Sequence, residues 1–122
     1  MREITDHKLS PLNEAIKITA SGETGAGGAP IHYSMEIVNN GGVTHRLDIQ
    51  FQNGPPGDAG FNGFTGEALL AIQIDRLRAF QAGPFACGDN QMALRCCEQA
   101  LAWLQKRTRE RLARGVEGTN QK

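Results

Sequence analysis

The chain has 122 residues, a length that fits one domain with a modest core. Its 13 basic and 13 acidic residues cancel to a formal net charge of zero, which argues against a general nucleic-acid-binding protein. No apolar run approaches the roughly 20 residues that span a bilayer, and the first ten residues lack the apolar core of a secretory signal. We therefore expect a single cytoplasmic domain (residues 1–122) that binds neither a membrane nor a nucleic acid polymer.

Three cysteines, Cys87, Cys96 and Cys97, leave an odd number of thiols for disulfide pairing. Cys96 and Cys97 are adjacent in a stretch with helical spacing, where neighbouring side chains point about 100° apart. The histidines lie far upstream of them, so the spacing of a zinc site is absent. We expect reduced cysteines, no metal site and no cofactor.

Alternating apolar residues predict three strands in the N-terminal half, within residues 12–20, 31–37 and 43–51. The glycine-rich segment "SGETGAGGAP" joins the first two strands and lacks the Gly-Lys-Ser/Thr ending of a phosphate-binding loop. The sequence "NNGG" supplies a turn between the second and third strands. The pattern predicts a three-stranded antiparallel meander over about residues 10–53 with one apolar face.

The periodicity then changes from strand to helix over about residues 65–115. In "TGEALLAIQIDRLRAFQ", Leu70, Ile74 and Leu77 recur at helical spacing after Thr65, a suitable N-cap. A second helix of about 26 residues follows and ends before a glycine at position 115. Together these features predict an α+β fold, in which an N-terminal sheet precedes an αα-hairpin.

The second predicted helix has an apolar seam and a polar start. Leu94, Cys97, Leu101 and Leu104 recur at intervals of 3, 4 and 3 residues, and we expect Asp89 or Asn90 to cap the helix. At 1.5 Å per residue this helix is roughly 39 Å long and the first about 25 Å, so one hairpin partner leaves part of it uncovered. Because Trp103 adds apolar surface to its middle, we expect a homo-oligomer, from a dimer to a hexamer.

The connection between the helices, "FQAGPFACGDNQ", carries more chemistry than a turn requires. Phe80 and Phe85 flank a Gly-Pro turn, and Asn90 lies at the start of a helix, where free backbone N–H groups favour anions. One interpretation is a nucleotide site with an aromatic stacking surface. The alternative is that both phenylalanines fill the core under the turn and Asn90 only caps the helix.

The basic residues concentrate near the end of the second helix. Residues 95–114 contain six arginines and lysines against two glutamates. Guanidinium groups suit phosphates, but a solvated helix end with cations that favour the helix dipole explains the composition equally well. No nucleophile or metal-protease motif is recognisable, so we predict that the protein is not an enzyme and has no catalytic residues.

Six blocks stand in order between residues 51 and 119: "FQNGPP", "GFNGFTGEALL", "DRLRAFQAGPFAC", "DNQMAL", "EQALAWLQKRT" and "ARGVEGT". Together they resemble the phage Thoeris anti-defense proteins of the first type, whose helical hairpin is shared with a phage anti-CBASS sponge. The resemblance implies a sponge that sequesters, without cleaving them, cyclic ADP-ribose isomers such as glyco-cyclic ADP-ribose in the host cytoplasm. Cyclic di- or trinucleotides of CBASS are a further implied ligand class.

The resemblance also implies which residues contact the ligand. Its aromatic contact corresponds to Phe80, its asparagine to Asn90, and its basic contacts to Arg107 and Arg109 in "KRTRER". We also expect ligand contacts at two residues of the block "GFNGFTGEALL", namely Phe61 and Asn62. Relatives carry an arginine where this chain has a glycine at position 88, so a second oligonucleotide site that depends on that arginine would lack it here.

Two other functions stay open on the sequence. One is an enzyme that degrades such a signal. The other is a helical interaction module that binds a host protein through the long helix, with the arginines serving only as solvated charge. Nucleotide-induced thermal stabilisation would be absent for the interaction module. After heat denaturation a sponge returns intact nucleotide, whereas an enzyme returns the product.

Overall fold

The computed structural model describes residues 1–119, and the chain divides into two compact units between Phe64 and Thr65. The elements in chain order are β1 (Arg2–Ile4), α1 (Pro11–Glu14), β2 (Ile16–Ala20), β3 (His32–Asn39), β4 (Gly42–Gln50), α2 (Pro56–Ala59), α3 (Gly66–Gln81) and α4 (Gly88–Ala113). An antiparallel sheet followed by a helical hairpin confirms the predicted α+β class. That the two units form one domain stays a prediction.

The sheet has the order β1-β2-β3-β4, with every neighbouring pair antiparallel, so it contains one strand more than predicted. The additional strand β1 is only three residues long, too short for a pattern of alternation to indicate it. The strand expected over residues 12–20 begins at Ile16 instead. Ser10 caps the short helix α1 by accepting a hydrogen bond from the Asn13 backbone N–H, and Pro11 suits the first helical turn.

The predicted turn between β3 and β4 is confirmed as a two-residue turn. Asn40 and Gly41 both have positive φ, 51° and 78°, which is the conformation of a type I′ hairpin turn. The register places Met35 between Ile18 of β2 and Leu47 of β4, so one face of the sheet is apolar as expected. On the opposite face Arg46 pairs with Asp48 and lies near Glu36.

A loop closed by side-chain amides follows the sheet. The Asn62 side chain accepts a hydrogen bond from the Asn53 backbone N–H at 2.8 Å and donates to the Asn53 carbonyl at 2.7 Å. The Gln52 side chain donates to the Gly60 carbonyl and accepts from the Asn62 N–H. Pro55 and Pro56 have no backbone N–H to donate in this loop, and the side-chain bonds supply contacts there. They fix the loop while its Phe61 side chain remains 96% exposed.

The helical unit is built on a small core between α3 and α4. Ile74 and Leu77 of α3 pack with Leu94 of α4, and Cys97 and Leu101 pack against this cluster. Leu70 is half-buried, whereas the predicted seam residue Leu104 is exposed. Thr65 caps α3 as predicted, by accepting a hydrogen bond from the Ala68 N–H.

The end of α4 is fixed by a buried arginine. Gly115 follows the helix with φ at +74°, as its predicted position after the C-terminus requires. The Arg111 guanidinium, only 6% exposed, donates to the carbonyls of Val116 and Thr119 and pairs with Glu117. None of the helices within residues 1–119 is long and apolar enough to cross a membrane.

Candidate functional site

The connection between α3 and α4 is held by the last residue of α3. The Gln81 side chain accepts a hydrogen bond from the Cys87 N–H at 3.0 Å and donates to the Cys87 carbonyl at 3.1 Å. Its amide nitrogen also lies 3.2 Å from Oε1 of Gln91 in the first turn of α4. Three hydrogen bonds from one side chain therefore fix the beginning of α4 relative to the end of α3.

The cap of α4 is Cys87, and the prediction of Asp89 or Asn90 was wrong. The helix begins at Gly88, and the Cys87 sulfur accepts the Asn90 backbone N–H at 3.5 Å. Asparagine and aspartate are commoner caps than cysteine, which is why the sequence favoured the later residues. The Asn90 amide is thus free of the capping role, and its Nδ2 makes a 3.4 Å contact with the Phe85 carbonyl.

Neither aromatic side chain of the connection belongs to the core of the helical unit. Phe80 is 39% exposed and Phe85 is 73% exposed, while Ile74, Leu77 and Leu94 fill the core. The alternative in which both rings plug the core is therefore wrong. Phe80 in addition carries a cation on its ring, since the Arg76 guanidinium carbon lies 5.5 Å from the ring centroid.

The basic end of α4 divides into paired and unpaired cations. Lys106 donates to Glu110 at 2.7 Å, and this hydrogen bond holds the pKa of that carboxyl below its ordinary value. The Arg111 guanidinium donates to the carbonyls of Val116 and Thr119, which follow α4. Arg107 and Arg109, by contrast, are exposed and have no ion-pair partner within residues 1–119. Both side chains are therefore available to an anion.

One chain does not bring all predicted contacts together. Phe80 and Asn90 flank the same connection, at one end of the hairpin. Arg107 lies 17 residues further along α4 than Asn90, about 26 Å along the helix axis at 1.5 Å per residue. Arg107 and Arg109 can reach a ligand at Phe80 only from another copy of the chain.

Phe61 and Asn62 belong to the N-terminal unit. Phe61 offers an almost fully exposed ring, whereas the Asn62 amide is committed to the Asn53 backbone at both of its polar atoms. Both residues stay predicted ligand contacts. Within residues 1–119 there is no group of three or more His, Cys, Asp or Glu side chains that could hold a metal ion.

The sequence analysis did not identify the contact of Arg76 with Phe80 or the hydrogen bonds of Gln81 to the connection. The spacing of four residues between Arg76 and Phe80 was a usable signal, because residues at i and i+4 face each other on a helix. No comparable signal identifies Gln81, whose role depends on the path of the connection.

The helical hairpin of α3 and α4 lies largely within the region that matches a known domain family. The family model for the Acb2/Tad1 hairpin domain matches residues 44–109, more than half of the chain. The chain belongs to the Acb2/Tad1 hairpin-domain family. It is also 50% identical, over 74 residues, to "Thoeris anti-defense 1" of Bacillus phage SBSphiJ7. The match covers 61% of this chain and 52% of the relative, so it spans about half the length of that protein.

Proposed function

We propose that the protein is a phage anti-defense protein that sequesters a cyclic ADP-ribose isomer without cleaving it. The observation that carries the proposal is the exposed Phe80 ring, across one connection from Asn90, at the tip of a hairpin that belongs to the Acb2/Tad1 family. A nucleobase stacks on an exposed aromatic face with a contribution of about 1–3 kcal/mol. The Asn90 amide can supply both a donor and an acceptor to a nucleotide.

The negative charge of such a ligand requires cations, and a second subunit can supply them. Met92, Cys96 and Trp103 form an exposed apolar stripe on α4, on the side of the helix away from the core residue Leu94. Met92 is 59% exposed and Trp103 is 69% exposed. A stripe of this kind is a natural contact between two copies of one helix.

An antiparallel arrangement of two such stripes completes the pocket. Gly88 precedes Met92 by four residues, and Arg107 follows Trp103 by four. When the stripe of one subunit covers that of another in the antiparallel sense, the partner subunit's Arg107 therefore lies opposite Gly88, in the same first turn of α4 as Asn90. The proposed pocket joins Phe80 and Asn90 of one subunit with the partner's Arg107, and Arg109 serves the same or a neighbouring pocket.

A sponge acts through tight binding and slow release. A ligand enclosed between two subunits leaves only after the interface opens, which lowers the dissociation rate. The proposed place of action is the cytoplasm of the infected host, where the signal is made. Cyclic di- and trinucleotides form the second ligand class of the proposal and belong in the same assay.

The proposal is tested by recovery of the ligand. Protein is incubated with glyco-cyclic ADP-ribose, freed of unbound nucleotide, and heat-denatured, and the released nucleotide is identified by mass spectrometry. A sponge returns the intact nucleotide in stoichiometric amount, and the Phe80→Ala variant, which should keep its fold, returns almost none. Recovery of a cleaved product would indicate the degrading enzyme, and absence of any nucleotide from the wild-type protein would favour the interaction module.

A further inference from the structure

Arg76 is the cation closest to the stacking ring, and neither the predicted contacts nor the family resemblance includes it. Its guanidinium carbon lies 5.5 Å from the Phe80 centroid. Both side chains are exposed on one face of α3, so the pair takes no part in the core of Ile74, Leu77 and Leu94. The contact therefore costs little desolvation and leaves the outward side of the guanidinium available to an anion.

The neighbouring cation on α3 has a different role. Arg78 donates to Glu98 of α4 at 2.9 Å and so links the two helices. Two residues apart on a helix means a rotation of about 200°, which places Arg78 on the side of α3 away from Arg76. Within residues 1–119 Arg76 has no carboxylate partner, and its guanidinium contacts the aromatic ring of Phe80.

We infer that Arg76 is a ligand-binding residue of the same subunit as Phe80, and that it contacts the diphosphate of a nucleotide whose base stacks on the ring. This inference rests on the proposed function. A nucleoside diphosphate combines a flat base with an anionic group a short distance away. A ring and a guanidinium four residues apart present the complementary pair of groups on one helical face. The partner subunit's arginines then complete the charge from the other side.

The test compares three substitutions of Arg76 with a matched control. Arg78→Gln removes the same charge from the same helix two residues away, but from the opposite side, so it reports the general effect of charge. Affinity for glyco-cyclic ADP-ribose is measured by calorimetry at low and high salt. Arg76→Gln should lower the affinity by about 10- to 100-fold, the usual range for a lost charge-assisted hydrogen bond, and Arg78→Gln by much less.

The other two substitutions separate charge from packing. Arg76→Lys keeps a cation over the ring and should retain most of the affinity, whereas Arg76→Met keeps an apolar cover and should lose it. The salt dependence of binding should fall in Arg76→Gln and Arg76→Met but not in Arg76→Lys. Circular dichroism and thermal unfolding should be unchanged in all three, because the side chain is exposed.

The outcomes distinguish this inference from the function on which it rests. If the wild-type protein binds no glyco-cyclic ADP-ribose, the proposed ligand is wrong. If the wild type binds while Arg76→Gln and Arg78→Gln behave alike, the sponge stands and Arg76 is not a contact. Full affinity in Arg76→Met would also overturn the inference, because the charge would then play no part.

Discussion

Gly63 lies where the chain passes directly over its own backbone. A Cβ added there would lie 2.3 Å from the carbonyl carbon of Phe51 and 2.6 Å from the nitrogen of Gln52. These backbone atoms cannot relieve so short a contact unless the loop moves away from the sheet. We expect Gly63→Ala to lower the free energy of unfolding by about 1–3 kcal/mol, the usual cost of overpacking.

Urea unfolding measures this effect against a glycine in open space. Gly27 has no heavy atom within 4 Å of its added Cβ, and its φ is not positive, so Gly27→Ala should leave the stability nearly unchanged. Equal stability of the two variants would contradict the close passage at Gly63.

Asn90 is expected to matter for binding more than for folding. Because the Cys87 sulfur caps α4, the Asn90 side chain contributes only a long, 3.4 Å contact with the Phe85 carbonyl. Asn90→Ala should therefore cost less than the ~1 kcal/mol that loss of a helix cap costs. Its affinity for a cyclic ADP-ribose isomer should fall far more, since a buried ligand would lose an amide partner.

Thermal unfolding and calorimetry on the same Asn90→Ala sample separate the two effects. Cys87→Ala is the matched control, because it removes the cap and leaves the amide. Unchanged affinity in Asn90→Ala, or a stability loss as large as that of Cys87→Ala, would show that Asn90 is a structural residue.

The face of α4 that carries Met92 and Trp103 is apolar and exposed, so we expect it to form the contact between subunits. Trp103 is 69% exposed and lies on the stripe with Met92, whereas Leu112, also exposed, is nine residues further on and points about 180° away. Trp103→Asp should dissociate the predicted oligomer, because a carboxylate would enter an apolar contact. Leu112→Asp introduces the same charge on the other side of the helix and should leave the assembly intact.

Light scattering at low micromolar concentration measures the assembly. We expect the wild type and Leu112→Asp to exceed the monomer mass of about 13 kDa and Trp103→Asp to approach it. A monomeric wild type would contradict both the predicted oligomer and the pocket shared between subunits.

The hairpin was the most predictable part of the fold. The spacing of Ile74 and Leu77, the Thr65 cap and the glycine after α4 all follow from local rules that tertiary contacts did not override. The short strand β1 and the helix α1 depend on pairing and capping over few residues, so periodicity could not reveal them. The element bounds of α3 and α4 were therefore predictable, and the elements of three or four residues were not.

The candidate site was predictable only in part. Phe80 and Asn90 were indicated by residue type and by resemblance, and the structure places them on either side of one connection. Cys87 as a cap was not predictable, because a thiol is an uncommon acceptor at that position. The distance between Arg107 and Asn90 could be predicted from the length of the helix. The sequence could not show which cations are paired, and the structure shows that Lys106 bonds to Glu110.

The proposed pocket is shared between two subunits of the whole assembly. Arg107 is about 26 Å from Asn90 along α4, and it points about 200° away from Arg109. A pocket containing Phe80 and Arg107 therefore takes them from different subunits. Each of Arg107→Ala and Arg109→Ala should weaken binding by about 1.5–3 kcal/mol, the range for a hydrogen bond to a charged group.

Mixing two defective variants tests the shared pocket directly. In a heterodimer of Phe80→Ala with Arg107→Ala, one pocket carries both changes. The other pocket is wild type, because its Phe80 comes from the Arg107→Ala subunit and its Arg107 comes from the Phe80→Ala subunit. After equimolar refolding together, about a quarter of all pockets in a twofold assembly should therefore bind glyco-cyclic ADP-ribose tightly. Phe80→Ala mixed with Asn90→Ala is the control: both residues belong to the same subunit's half of the pocket, so no wild-type pocket forms. Binding in neither mixture, with mixed assemblies confirmed by mass spectrometry, would mean that Arg107 does not complete the pocket from a partner subunit.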